Sequence, residues 1–234
     1  MRMENRFLIW LNWPERPFRV ETSDLDFFKS LVAGQEVVAV RGECDFLREL
    51  PSATHAICWE FRKEWFGYAP RLKVLATPGA GRELLPSDAD MPHGVVKFHG
   101  EFHGAIMSET VIAYMLAWCR GIYPAYRWQQ SGDAADLWRR VDLGDVCFSL
   151  AGTRAVILGY GRIGRAIGGK LVSLGVQVCG IRRGNLAELP KAVSDADWLI
   201  CVLPSDTGTD DIVDAEILGR MKRSAVLINV GRGN

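Results

Sequence analysis

The stretch Arg154–Arg183, RAVILGYGRIGRAIGGKLVSLGVQVCGIRR, restricts the folds open to this chain more than any other. Ala155-Val156-Ile157-Leu158 has the length and β-branched content of a strand. It runs directly into Gly159-Tyr160-Gly161-Arg162-Ile163-Gly164. Ile163, Ile167, Leu171 and Leu174 then recur at helical spacing, and Gly175 stands where a helix commonly closes with a left-handed residue. Val176–Ile181 alternates as a second strand does. Strand, glycine turn, helix and strand within about 30 residues predict the βαβ unit that binds a dinucleotide.

Each glycine has a physical task in that unit. Gly159 permits the tight turn, Gly161 lets backbone approach a pyrophosphate, and Gly164 lets the helix pack close to the strand. The phosphates are expected on N–H groups at the helix N-terminus, where the macrodipole favours negative charge. The second strand ends in Ile181-Arg182-Arg183-Gly184, with no acid to accept from a ribose 2′-hydroxyl. Two guanidiniums suit a 2′-phosphate, so NADP is the expected cofactor, with NAD possible. A solvated basic turn is the alternative for the same residues.

With 234 residues the chain has room for two domains. Its formal net charge of 0 gives no bulk attraction to nucleic acid or an anionic membrane, so neither is an expected partner. No apolar run reaches transmembrane length, and the N-terminal MRMENRFLIWLNWPERP lacks a small-residue cleavage site. Cys44, Cys58, Cys119, Cys147, Cys179 and Cys201 are scattered with no C-x-x-C, which reads as buried, reduced thiols in a cytoplasmic protein.

Ahead of the βαβ unit, strands are expected at Arg6–Leu11, Glu36–Val40, His55–Trp59, Leu72–Ala76 and Val95–Phe98. Thr22-Ser23-Asp24 offers a cap for a helix striped by Leu25, Phe28, Leu31 and Val32. Short helices are expected around Phe46–Leu50 and Lys63–Tyr68. Strands alternating with helices imply a parallel sheet. Ser108 is expected to cap a helix whose apolar face is Val111, Ile112, Met115, Leu116 and Cys119, ended by Gly121, and which leads from the first domain into the second. Residues 124–150 read as looser, with Trp128 and Trp138 either at a subunit interface or packed on their own domain. After the βαβ unit come strands at Trp198–Leu203 and Ala225–Val230. Between them Thr207 and Thr209 are placed to touch phosphates or cap a helix bearing Ile212, Ile217, Leu218 and Met221.

The loop Thr77-Pro78-Gly79-Ala80-Gly81-Arg82-Glu83 follows the fourth strand, on the side where open α/β sheets bind ligands. It reads equally as an anion site or an ordinary turn. His99 and His103 have the i, i+4 spacing of a helical metal pair, but Gly100 and Gly104 argue against a helix there, and no metal site is expected.

Taken together, the PGAG loop, SETVIAYMLAWCRG, LGYGRIG, DADWLICVLP and LINVGRGN resemble the D-isomer-specific 2-hydroxyacid dehydrogenase family. The resemblance runs from about the fourth strand to the end of the chain. It implies an α/β protein with a flavodoxin-like substrate domain, residues 1–104, lacking its C-terminal return. A doubly wound Rossmann NAD(P)-binding domain, residues 105–234, would follow, incomplete with its first four strands only. The implied reaction passes a hydride between NADP(H) and a 2-keto or 2-hydroxy acid, such as glyoxylate or hydroxypyruvate, in a protein expected to be a homodimer. By resemblance Arg232 binds and polarises the substrate, with the N–H groups of Ala80 and Gly81 on its carboxylate. Gly159, Gly161, Arg162, Ile163 and Gly164 contact pyrophosphate, and Arg182 and Arg183 the 2′-phosphate. Pro204, Thr209, Val230 and Gly231 complete the cofactor site.

The family's acid–base histidine and its partner glutamate follow the arginine motif, and neither has a counterpart before Asn234. The chain is therefore expected to be a fragment with little activity, its edge strand Val226-Leu227-Ile228 unpaired. Arg82-Glu83 is a smaller departure, since many members carry an aspartate in place of that glutamate. The resemblance leaves two other readings open, a corepressor-like dinucleotide-responsive binding module and a phosphite-type dehydrogenase.

Overall fold

A computed structural model describes residues 5–12, 19–130, 144–205 and 207–233. The chain divides into two compact units, Met1–Glu101 and Phe102–Asn234, each with its own sheet and core.

The first unit carries β1 (Arg6–Trp10), α1 (Thr22–Leu31), β2 (Glu36–Ala39), α2 (Glu43–Glu49), β3 (His55–Cys58), β4 (Val74–Thr77) and β5 (Val96–His99). All strand pairs are parallel, in the order β2-β1-β3-β4-β5. That is the flavodoxin-like order, with its switch point between β1 and β3. Leu8, Ala56 and Leu75 lie side by side in register and are fully buried. Phe46, Leu50, Phe61 and Trp65 pack with them in one cluster. Short 3-10 turns, Lys63–Tyr68 among them, replace longer helices between the later strands. The cap of α1 is Glu21 rather than Thr22 or Ser23: Asp24 Oδ2 accepts from the Glu21 backbone N–H at 2.9 Å. Of the expected stripe on α1, Leu31 points outward at 65% exposure.

The second unit carries α3 (His103–Cys119), α4 (Ile122–Gln130), β6 (Arg154–Leu158), α5 (Arg162–Ser173), β7 (Gln177–Ile181), α6 (Leu189–Ser194), β8 (Trp198–Cys201), α7 (Ala215–Arg220) and β9 (Val226–Asn229). Its parallel sheet runs β7-β6-β8-β9. Both faces of β6 are covered, as its buried run Ala155–Leu158 requires. Ala155 and Ile157 pack with Val111, Met115, Ile167 and Leu171 of α3 and α5. Val156 and Leu158 pack on the other face with Leu189 and Val193 of α6 and Ile217 of α7. Helices on both faces make the sheet doubly wound.

Beyond β7, Arg183–Glu188 makes 3-10 turns, and the third strand in chain order lies beside the first. Three further sequence expectations change. Helix α3 begins at His103, not Ser108, which lies buried within it and donates to the Ala105 carbonyl at 2.7 Å. Gly104 is accepted there because a Cβ would stand 3.0 Å from the Ala166 Cβ of α5; close helix packing outweighs glycine's low helix propensity. Ile122–Gln130 is a helix where looser chain was expected, while Trp138 lies outside the described residues. Finally, Cys44 and Cys179 are exposed, not buried. At the sheet margin β9 pairs with β8 alone among the described residues, and of its apolar run Leu227 is the exposed member.

Candidate functional site

The turn after β6 has the geometry that three differently used glycines predict. Gly159 adopts φ +97°, and a Cβ there would stand 2.6 Å from the Val202 carbonyl oxygen. At Gly164 a Cβ would come within 3.3 Å of Ile157 Cγ2, so the helix rests on the strand. Gly161, the N-cap of α5, faces open space, and no side chain caps the helix there. Gly159 and Gly164 are thus closed by protein, while Gly161 opens on a cradle that an anion at a helix N-terminus requires. The turn is fastened to its neighbour, since the N–H groups of both Gly159 and Tyr160 donate to the Ile181 carbonyl at 3.0 Å.

Ile181 is the last residue of β7, and Arg182 and Arg183 follow it, both exposed. Asn185 holds this corner. Its Oδ1 accepts from the Arg182 N–H at 2.7 Å, and its Nδ2 donates to the Gly180 carbonyl at 3.3 Å. The Arg182 guanidinium lies over the Tyr160 ring, 5.6 Å from Cζ to the centroid. The ring itself sits in a slot between two glycines: a Cβ on Gly168 would be 2.7 Å from the Tyr160 hydroxyl, and one on Gly180 2.7 Å from Cδ2. Interior glycines weaken helices and strands by roughly 0.5–1 kcal/mol relative to alanine, so both are accounted for by the ring they admit.

The loops after β8 and β9 complete the same end of the sheet. Val230 N–H donates to the Cys201 carbonyl at 3.0 Å. A Cβ on Gly231 would stand 2.6 Å from the Leu203 carbonyl oxygen, so Gly159 and Gly231 press on consecutive residues of one backbone. Asn229 clasps the turn, its Oδ1 accepting from Gly231 N–H at 2.9 Å and its Nδ2 donating to the Arg232 carbonyl at 2.8 Å. Arg232 is thereby fixed at the carboxyl end of β9, where ligands of open α/β sheets bind. Thr209 donates its hydroxyl proton to the Pro204 carbonyl at 2.7 Å, and the helix cap expected of a threonine is Asp214, whose Oδ1 accepts from Ile217 N–H. Burial pushes the Cys201 thiol up to about 11, which disfavours its thiolate.

In the first unit, the Thr77–Glu83 loop is braced from within. Thr77 Oγ1 donates to the Trp59 carbonyl and accepts from Gly79 N–H, and the Gly79 carbonyl accepts from Gly100 N–H. Ala80 is exposed. The Glu83 carboxyl lies against Gly81, whose Cβ would be 2.6 Å from Glu83 Cδ. His99 closes β5 and His103 opens α3, so no helix carries the pair. No group of three or more metal-ligating side chains assembles among the described residues. His99 loses proton affinity through burial and the Lys97 ammonium, partly offset by a hydrogen bond with the Gly81 backbone.

A groove of about 590 Å³ runs along Arg154, Val156, Gln177, Cys179, Lys191 and Asp195. Its walls are the amino halves of β6 and β7 and the helix α6, away from the glycine turn, so the groove is not part of the strand-end site. Tyr160, Asn185 and Asn229 were not singled out in the sequence. The one signal for Tyr160 was the pair of interior glycines, Gly168 and Gly180, with no turn to explain them.

A family model described as D-isomer specific 2-hydroxyacid dehydrogenase, NAD binding domain, matches residues 112–234. A glycerate dehydrogenase of Methylorubrum extorquens is 27% identical over 168 residues, covering 70% of this chain and 54% of that protein. Glyoxylate/hydroxypyruvate reductase B of Pectobacterium carotovorum is 30% identical over 189 residues, covering 73% of this chain and 57% of that protein. The chain spans about half the length of these curated relatives. Apo D-mandelate dehydrogenase of Rhodotorula graminis shares the fold at a TM-score of 0.74 and 20% identity, over 98% of this chain and 74% of that one.

Proposed function

The chain belongs to the D-isomer-specific 2-hydroxyacid dehydrogenase family, and from that premise we propose that it serves an oxidoreductase acting on a small 2-keto or 2-hydroxy acid with NADP(H). Bound nicotinamide would supply or accept the hydride at C4. The chain's own residues bind and orient. Gly159, Gly161, Arg162, Ile163 and Gly164 take the pyrophosphate, with Pro204, Thr209, Val230 and Gly231 along the rest of the cofactor. Arg182 and Arg183 take the 2′-phosphate. Arg232 grips the substrate carboxylate bidentately and polarises the carbonyl, and in the first unit the N–H groups of Ala80 and Gly81 are assigned to a carboxylate.

The observation that carries this reading is the clasped Gly231-Arg232 turn. Asn229 and the Leu203 backbone hold the main chain of this turn, which sets where the Arg232 side chain leaves the carboxyl end of β9. Self-association is supported by the apolar surface that α3 and α4 leave exposed at Trp118, Ile122, Tyr123 and Tyr126. A cytoplasmic setting is supported by six unpaired cysteines, two of them exposed.

The test is Arg232→Lys in this protein, assayed with NADPH and glyoxylate or hydroxypyruvate. Lysine cannot reproduce the two parallel hydrogen bonds, so kcat/KM falls roughly ten- to a hundredfold. The Kd for NADPH stays within about twofold, because the phosphates are held elsewhere. An unchanged kcat/KM on the best substrate would make Arg232 structural and favour a dinucleotide-responsive binding module instead.

A further inference from the structure

We propose that Tyr160 is a positioning residue that sets preference for a dinucleotide bearing a 2′-phosphate, by holding the Arg182 guanidinium on its ring. The proposal rests on the NADP reading above and adds to it a residue that touches no part of the reaction. Tyr160 occupies a variable position of the glycine turn, where the turn itself makes no demand on the side chain. Its placement comes from elsewhere. Gly168 of α5 and Gly180 of β7 both lack the Cβ that would strike the ring, and both lie where glycine is disfavoured. Gly180 and Arg182 are two residues apart at the end of β7, so they fall on the same side of an extended chain. The ring that covers Gly180 therefore extends beneath Arg182, with Cζ 5.6 Å from its centroid.

The consequence is an ordered cation at an exposed corner. Arginine has several rotatable bonds, and ordering it for an anion normally costs rotamer entropy. A guanidinium resting on an aromatic face satisfies its weakly hydrated plane there and keeps its N–H edges for phosphate oxygens. The backbone beneath is fixed as well, by Asn185 on the Arg182 N–H and by the Ile181 carbonyl accepting from Gly159 and Tyr160. The glycine turn that would cradle the pyrophosphate and the arginine that would read the 2′-phosphate are thus joined through one ring. Removing the ring should leave the cradle intact and loosen only the reader.

The experiment measures Kd for NADPH and NADH by titration calorimetry on the purified chain, as wild type, Tyr160→Leu, Tyr160→Phe, Arg182→Gln and the double variant Tyr160→Leu/Arg182→Gln. Wild type should favour NADPH, and Arg182→Gln should lose that advantage. Tyr160→Leu should weaken NADPH roughly two- to twentyfold, the range of a cation–π contact, and leave NADH within about twofold. Tyr160→Phe, which keeps the ring, should restore the wild-type ratio. In the Arg182→Gln background, Tyr160→Leu should change nothing further, because its effect acts through that arginine. Tyr160→Met, whose flexible chain fills the slot, replaces the leucine variant if circular dichroism shows that variant unfolded. A wild-type ratio in Tyr160→Leu, with the ratio lost in Arg182→Gln, overturns the positioning role and leaves the NADP reading standing. Equal weakening of both cofactors also overturns it, since that marks damage to the turn. A wild type without preference defeats the NADP reading and this proposal together.

Discussion

Gly159 and Gly161 stand two residues apart and meet opposite surroundings. Gly159 combines φ +97° with a carbonyl oxygen 2.6 Å from any Cβ, whereas Gly161 has φ −80° and open space. Adding one methyl group therefore separates fold from function. Gly159→Ala is expected to destabilise the chain by about 2–4 kcal/mol, from left-handed strain and a clash with backbone that cannot rotate away. Gly161→Ala is expected to leave the melting temperature nearly unchanged and to weaken NADPH at least tenfold, roughly, by filling the space a pyrophosphate needs. Thermal melts alongside cofactor titration check the pair. Equal loss of stability in both variants would show that Gly161 too is a structural glycine.

At the scale of elements, the pairing of α3 with α5 decides where α3 starts. Gly104, Ser108, Val111, Met115 and Cys119 form its buried face, and a Cβ on Gly104 would stand 3.0 Å from the Ala166 Cβ of α5. A larger residue there must push the helices apart. Gly104→Leu should destabilise by about 1–3 kcal/mol in guanidinium titration. Combining it with Ala166→Gly, which removes the facing methyl, should recover part of that loss. No recovery would mean that the two residues do not share a contact. The same element shows why a sequence pattern misplaced the boundary. Ser108 resembles a cap locally, but a buried hydroxyl can donate back to Ala105 inside the helix, and Gly104 becomes favourable only once α5 is against it.

On the scale of the whole molecule, the residues proposed for the cofactor, Gly159 to Gly231, all lie in the second unit, which has a four-stranded sheet with a core on each face. Phe102–Asn234 expressed alone should therefore bind NADPH within about threefold of the entire chain, and Met1–Glu101 should bind none. Calorimetric titration of both pieces checks this. Loss of binding by an isolated second unit that still shows a cooperative melt would mean that the first unit contributes to the cofactor site.

What the sequence determined was the set of parts. Apolar runs of strand length and alternating segments located every strand of both sheets within two residues, because burial on one or both faces is written into composition and spacing. The glycine turn was legible for the same reason: three conformational demands fall at fixed offsets in a continuous segment. Arg182 and Arg183 could be named as candidates from a strand end, and Arg232 from the resemblance that LINVGRGN carries. Only the tertiary structure decided which strand lies beside which, since a parallel sheet pairs segments whose partners carry no mark of one another. It also decided that Gly104, Gly168, Gly180 and Gly231 are glycines because something distant approaches them, and that Tyr160, Asn185 and Asn229 hold the candidate site in shape. The roles of the glycines and of Tyr160 depend on approaches between separate elements, which folding creates and no local pattern contains, whereas Asn185 and Asn229 act on neighbours in the same turn.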